Sequence, residues 1–233
     1  MYKLLENFPQ VVYTASVWVL PVLLAITLHE AAHGWVAWKL GDGTAKAMGR
    51  VTFNPLKHID PFGTVILPAM LLLSGANFLF GWAKPVPVNI HRLRDVKRGM
   101  VLVAAAGPIS NLSMAYIAAL MVHFVQYFPP TFGYWVAENL SNALTINILL
   151  AVFNMVPLPP LDGGRVAVGL LPRSLGMLLA RLEKFGLFIL IGILFILPMI
   201  GNQIGVNWAV FSWLIGAPVN FLANIIAHAA GLI

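Results

Sequence analysis

Two histidines and a glutamate stand in the pattern His29-Glu30-Ala31-Ala32-His33 within a long apolar run. On a helix this spacing places both imidazoles on one face, one turn apart, with the carboxylate beside them. Such a helix can bind zinc and leave the glutamate free to move protons. At this composition the pattern arises by chance about once in four hundred chains, so it is informative without being sufficient. The alternative is a pair of packed histidines and a stray carboxylate. Against it stands the cost of a charge at mid-helix in lipid, about 2.5 to 3.5 kcal/mol on insertion scales unless a partner or a wet cavity receives it.

A catalytic zinc site takes three protein ligands and keeps the fourth position for water. The chain has no cysteine, which excludes disulfides, thiolate ligands and cysteine nucleophiles, so any metal must be held by His, Asp or Glu. Eight acidic residues are available. Glu6 and Glu138 lie near expected membrane boundaries, Asp95 and Glu183 in basic loops, and Asp42 and Asp60 in a polar stretch. That leaves Asp162, in the run Asn154-Met155-Val156-Pro157-Leu158-Pro159-Pro160-Leu161-Asp162-Gly163-Gly164. Its prolines end a span and its glycines let the backbone approach a metal. Alone, Asp162 would read as an ordinary turn residue or helix cap. Paired with His29 and His33 it becomes the third ligand of one Zn2+ per chain. Zinc so held would acidify water and polarise a peptide carbonyl, with Glu30 acting first as general base and then as general acid.

HExxH in one span joined to an Asn-to-LDG segment ending a later one resembles the site-2 protease family of intramembrane zinc metalloproteases. The resemblance takes in Gly107-Pro108-Ile109-Ser110-Asn111 and the stretches RVTFNPLKHIDPFGT (50–64) and GWAKPVPVN (81–89), and it covers nearly the whole chain up to about Arg165. It is to the compact form, without a PDZ or CBS domain. It implies a zinc metalloendopeptidase that cleaves peptide bonds in or near transmembrane helices of membrane-protein substrates, in regulated intramembrane proteolysis. For Asn154 it implies a hydrogen bond to the substrate backbone or developing oxyanion, with a helix-packing amide as the alternative. Asn111 could help shape the same site and Gly107 permits close helix approach, packing again being the alternative for both. The GWAKPVPVN segment could accept an extended substrate by strand addition, or be a structural hairpin lining a water cavity.

These residues need a membrane scaffold, and the composition supplies one. Hydrophobic residues make up 60% of the 233-residue chain and charged residues 9%, with a mean hydropathy of +0.86. This is far from the balance of soluble domains. One membrane domain is expected over 1–233, with a core at 10–165 and accessory helices within 183–228. The apolar runs lie at about 11–38, 64–80, 100–128, 136–156, 185–200 and 206–226. The first lacks the features of a cleaved signal peptide and reads as a permanent span. The fold class is therefore an all-α polytopic membrane protein. It has about five transmembrane helices, a re-entrant segment at 64–80 and a short extended hairpin, gathered around an intramembrane zinc site.

Re-entry at 64–80 matters for the chemistry. If every run crossed once, the HExxH end of the first span and Asp162 would emerge on opposite sides of the membrane. With re-entry they share a side, and 13 of the 14 Lys and Arg residues share it too, leaving Lys3 opposite. The positive-inside bias then makes that side cytoplasmic, and a prokaryotic inner membrane is expected. The same bias explains the net charge of +6 without nucleic acid. Expected partners are a membrane-protein substrate with a transmembrane helix and the lipid bilayer, while oligomeric state is open. His58, His91, His123 and His228 read as packing or interfacial residues, and Asn220, Asn224 and His228 share one face of the last span. A metal transporter and a non-catalytic scaffold are the competing readings; neither explains Glu30 as well.

Overall fold

The computed structural model describes residues 8–73, 81–203 and 212–233. Lys3, Glu6, the end of the expected re-entrant run at 74–80 and the start of the last expected span at 206–211 lie outside the described residues. Among the described residues the regular structure is entirely helical, with no strand.

Three helices are long and apolar enough to cross a membrane: α1 (Phe8–Lys39), α2 (Val96–Val122) and α3 (Pro130–Asn154). The shortest, at 25 residues, is about 37 Å long at 1.5 Å per residue, more than a hydrocarbon core of about 30 Å. Two further spans were expected. The stretch 185–200 falls in Gly186–Ile191, a π-helical Gly192–Ile196 and Leu197–Gln203, and the last span is described only from Ser212. Its helical continuation is Ala217–Ala229.

The central helix α2 shows how these sequences pack in an apolar solvent. Its buried face carries Gly99, Val103, Gly107, Asn111, Ala115 and Ala119 at a four-residue spacing, while Leu102, Ile109 and Ile117 are exposed. Small residues inside and large apolar residues outside is the pattern of helices that associate by close backbone approach. On this face α2 meets α1, α3 and a short helix, α4 (Asp162–Leu170). Ile148 and Val152 of α3 pack on Ala115 and Ala119, together with Ile215, Ile226 and Ala230 from the C-terminal helix.

The polar stretch after α1 is tied to the later segment at Asn89 by one carboxylate. Gly41, at φ +115, reverses the chain at the helix end, and the Asp42 N–H donates back to Ala37 O. The fully buried Asp42 carboxylate accepts from the Thr44 hydroxyl and N–H and, at 2.6 Å, from Asn89 N–H. Burial pushes its pKa up, but the Thr44 hydroxyl, the two N–H groups and the positive charge of Arg92 outweigh this and hold it below the usual carboxylate range. Asp42→Ala is expected to cost about 1–3 kcal/mol, read as a lower thermal midpoint in detergent. Because the folded-state pKa is depressed, the carboxylate's contribution is complete above the unfolded value near 4 and is lost as pH falls through the depressed one.

A helical segment follows, π-helical over Pro61–Ile66 and α-helical over Leu67–Leu73, capped by Asp60, whose side chain accepts from Phe62 N–H and Gly63 N–H. The chain leaves this point and comes back to it. Trp82 N–H donates to Gly63 O at 3.1 Å, and the Thr64 hydroxyl donates to Trp82 O at 2.8 Å. The GWAKPVPVN segment then runs extended without a β-ladder, and its backbone bonds go to loops and side chains instead.

Candidate metal centre

His29, His33 and Asp162 come together, each less than one-tenth exposed. Among the described residues they are the one group of three His, Asp or Glu side chains able to share a metal ion. The hydrogen bonds behind the rings decide what the rings present. His33 Nδ1 lies 2.6 Å from Val103 O, which can only accept, so Nδ1 carries the proton. His29 Nδ1 lies 2.5 Å from Asn111 Oδ1. The Asn111 amide is oriented by donating to Ala25 O and to Asn147 Oδ1, so its oxygen faces His29 and the His29 Nδ1 is again the donor.

With Nδ1 carrying the proton, each neutral ring presents Nε2 as a lone pair. The two lie 3.0 Å apart, and each is 3.2 Å from Asp162 Oδ2, a buried oxygen with no hydrogen-bond donor. Three acceptors facing one another without a proton repel unless a cation lies among them. The triangle also has the right size. Tetrahedral zinc with bonds of about 2.0–2.1 Å has ligand-to-ligand edges of roughly 3.4 Å. On one side the site is bounded by bare backbone, since a Cβ on Gly107 would sit 2.4 Å from His33 Nε2 and 2.6 Å from His29 Nε2.

Asp162 arrives from the other end of the chain because the segment before it is packed without side chains in the way. A Cβ on Gly163 would lie 2.2 Å from Met155 O, and one on Gly164 would lie 2.1 Å from Pro159 N. These two glycines let the first turn of α4 press against the proline-rich turn. Further along, a Cβ on Gly169 would lie 2.4 Å from Val101 Cγ2, so α4 also lies close along α2.

Glu30 is half-buried, and its Oε2 accepts a 2.8 Å hydrogen bond from Val86 N–H. The extended segment carrying Val86 is held along its length. Lys84 N–H donates to His58 O, and Lys84 O accepts from the buried Arg50 guanidinium at 2.7 Å. His58 is buried, with Nε2 against Thr52 O, and burial pushes its pKa down. Among the described residues it belongs to no group of His, Asp or Glu able to share a metal ion. His123 and His228 face backbone carbonyls and His91 is exposed.

The two asparagines fare differently. Both amide hydrogens of the fully buried Asn111 are used, so it has no donor left for a substrate; its oxygen holds His29 instead. Asn154, the last residue of α3, turns its amide onto Leu150 O of its own helix. Reading the sequence misses Asn147, the Val103 carbonyl and the Val86 N–H. The first shows only as one more amide in an apolar run, and the other two are main-chain groups that no residue type announces.

A model of peptidase family M50 matches residues 132–197. A Bacillus subtilis protein named "Putative zinc metalloprotease YwhC" is 39% identical over 185 residues, covering 78% of this chain and 80% of that protein. "Putative zinc metalloprotease Rip2" of Mycolicibacterium smegmatis is 30% identical over 183 residues, covering 77% of this chain and 66% of that protein. No solved structure matches.

Proposed function

From its membership of peptidase family M50, to which the chain belongs, we propose that it is an intramembrane zinc metalloendopeptidase of the site-2 protease type, cleaving membrane-protein substrates in or near a transmembrane helix. The observation that carries this reading is the convergence of two imidazole lone pairs and one carboxylate oxygen next to a glutamate that binds none of them.

His29, His33 and Asp162 would hold the zinc, which supplies a Lewis acid that acidifies water and polarises the scissile carbonyl. Glu30 takes the proton of the attacking water as its oxygen bonds to the carbonyl carbon. It returns that proton to the nitrogen when the C–N bond breaks, giving a carboxylic acid and an amine, and the acid's proton, the second from the water, passes to the amine so that a carboxylate and an ammonium leave. Val86 N–H holds Oε2 of Glu30 and leaves Oε1 to carry the proton. Asn154 has a second amide hydrogen to offer a substrate carbonyl.

The return of Trp82 to Gly63 supports re-entry of the segment between them, because a chain that ends where it began has not crossed. The HExxH end of α1, the start of α2 and the end of α3 then share one face with 13 of the 14 Lys and Arg residues, and the site opens toward the cytoplasm of a prokaryotic cell. The substrate is a helix in the bilayer that unwinds locally, since hydrolysis needs an exposed peptide bond.

Purified protein is expected to contain one zinc per chain and to cleave a transmembrane model substrate in detergent. Removing the metal with a chelator should bring cleavage to background, and one equivalent of zinc should restore it. Wild-type protein that holds no zinc, or that cleaves equally well without it, sinks the reading.

A further inference from the structure

We propose that Asn147 is a positioning residue that, through Asn111, fixes the tautomer of His29 and so keeps the Nε2 lone pair aimed at the metal. This rests on the zinc reading above and assigns a role to a residue that touches neither ligand nor substrate.

The assignment follows from the direction of each hydrogen bond. Asn147 lies about two-thirds of the way along α3, 3% exposed, and its Nδ2 donates to Ala143 O of its own helix at 2.8 Å. A carbonyl cannot donate, so the amide has one orientation and Oδ1 must face Asn111. Asn111 Nδ2 donates to that oxygen at 2.7 Å and to Ala25 O at 3.3 Å, which turns Asn111 Oδ1 to His29. His29 Nδ1 can then only donate, and the free lone pair falls on Nε2.

Of the two anchors on Asn111, the Asn147 bond is the shorter by 0.6 Å. Without it, Asn111 could rotate and present its NH2 group to His29. The imidazole would accept at Nδ1, and its proton would move to Nε2, among His33 Nε2 and Asp162 Oδ2. That form binds no metal. The relay therefore runs α3 to α2 to α1 and makes all three long helices contribute to one ligand. Asn139, on the same helix and also buried, serves as a built-in contrast: its amide donates to Trp135 O in the same way, but its Oδ1 accepts from no group.

The test uses full-length protein in detergent and zinc affinity measured by competition with a chromophoric chelator. Asn147→Leu should weaken zinc about 10- to 100-fold, the usual effect of losing a group that orients a ligand. Asn139→Leu should leave affinity unchanged. In zinc-free Asn147→Leu labelled at histidine, the 15N shifts should show the His29 proton on Nε2. Weakened zinc binding with the proton still on Nδ1 would mean a packing defect and would overturn the relay, as would wild-type affinity in Asn147→Leu. A second readout needs neither variant nor metal. The 15N spectrum of zinc-free wild type labelled at histidine should show the His29 proton on Nδ1, and a proton on Nε2 ends the proposal. Wild type that binds no zinc while His29 is protonated on Nδ1 would refute the protease reading and leave the relay intact.

Discussion

Glu30→Gln is expected to keep one zinc per chain while cleavage of a transmembrane substrate falls by about 10²- to 10⁴-fold. The substitution is nearly isosteric, and Glu30 is not among the three residues able to share a metal ion. An amide oxygen still accepts from Val86 N–H, so the extended segment keeps its place. What the amide cannot do is take a proton from water and give it to the departing nitrogen. Elemental analysis and single-turnover cleavage on the same preparation separate these outcomes. Near-wild-type cleavage by the variant would remove Glu30 from the chemistry, and loss of the metal would make it a ligand.

Gly107→Ala should have an effect of comparable size by a different route, with zinc affinity reduced by at least about 100-fold and activity at background. A Cβ would lie 2.4 Å from His33 Nε2 and 2.5 Å from His29 Cε1, more than 1 Å inside ordinary van der Waals contact. Either the rings turn away from Asp162 or α1 and α2 separate, and both break the 3.0–3.2 Å triangle. Helix propensity works in the opposite direction, since alanine in a helix interior is favoured over glycine by roughly 0.5–1 kcal/mol. The variant should therefore keep its helical circular dichroism while losing its metal. Wild-type zinc content in Gly107→Ala would mean that the backbone of α2 does not bound the site.

The candidate metal ligands were legible because their chemistry resides in residue type. Two histidines at helical spacing and a single acid left over after excluding the others define a set that the structure brings together. Helix limits were less legible, because hydropathy ends where the first charge appears and helices end at caps. The span expected from Met100 begins at Val96, with Asp95 accepting from Arg98 N–H, so Lys97 and Arg98 belong to the helix. The span expected from Val136 begins at Pro130, a residue suited to a first helical position. Asn111 was noticed, but a substrate donor and a buried orienting group look alike in one dimension. Only the partners on α1 and α3 distinguish them.

The bond from Val86 to Glu30 bears on how this protein would respond to mutation. The donor is main chain, and in the tripeptide Pro85-Val86-Pro87 it is the one N–H present. The flanking rings narrow the backbone to a few conformations, so the donor is presented with little help from the side chain it belongs to. The Val86 side chain is itself buried, with Cγ1 3.1 Å from where a Cβ on Gly34 would lie, so truncating it to alanine would be felt as lost packing while its N–H still reached the carboxylate. The grip on Glu30 is written in the two neighbours that cannot donate.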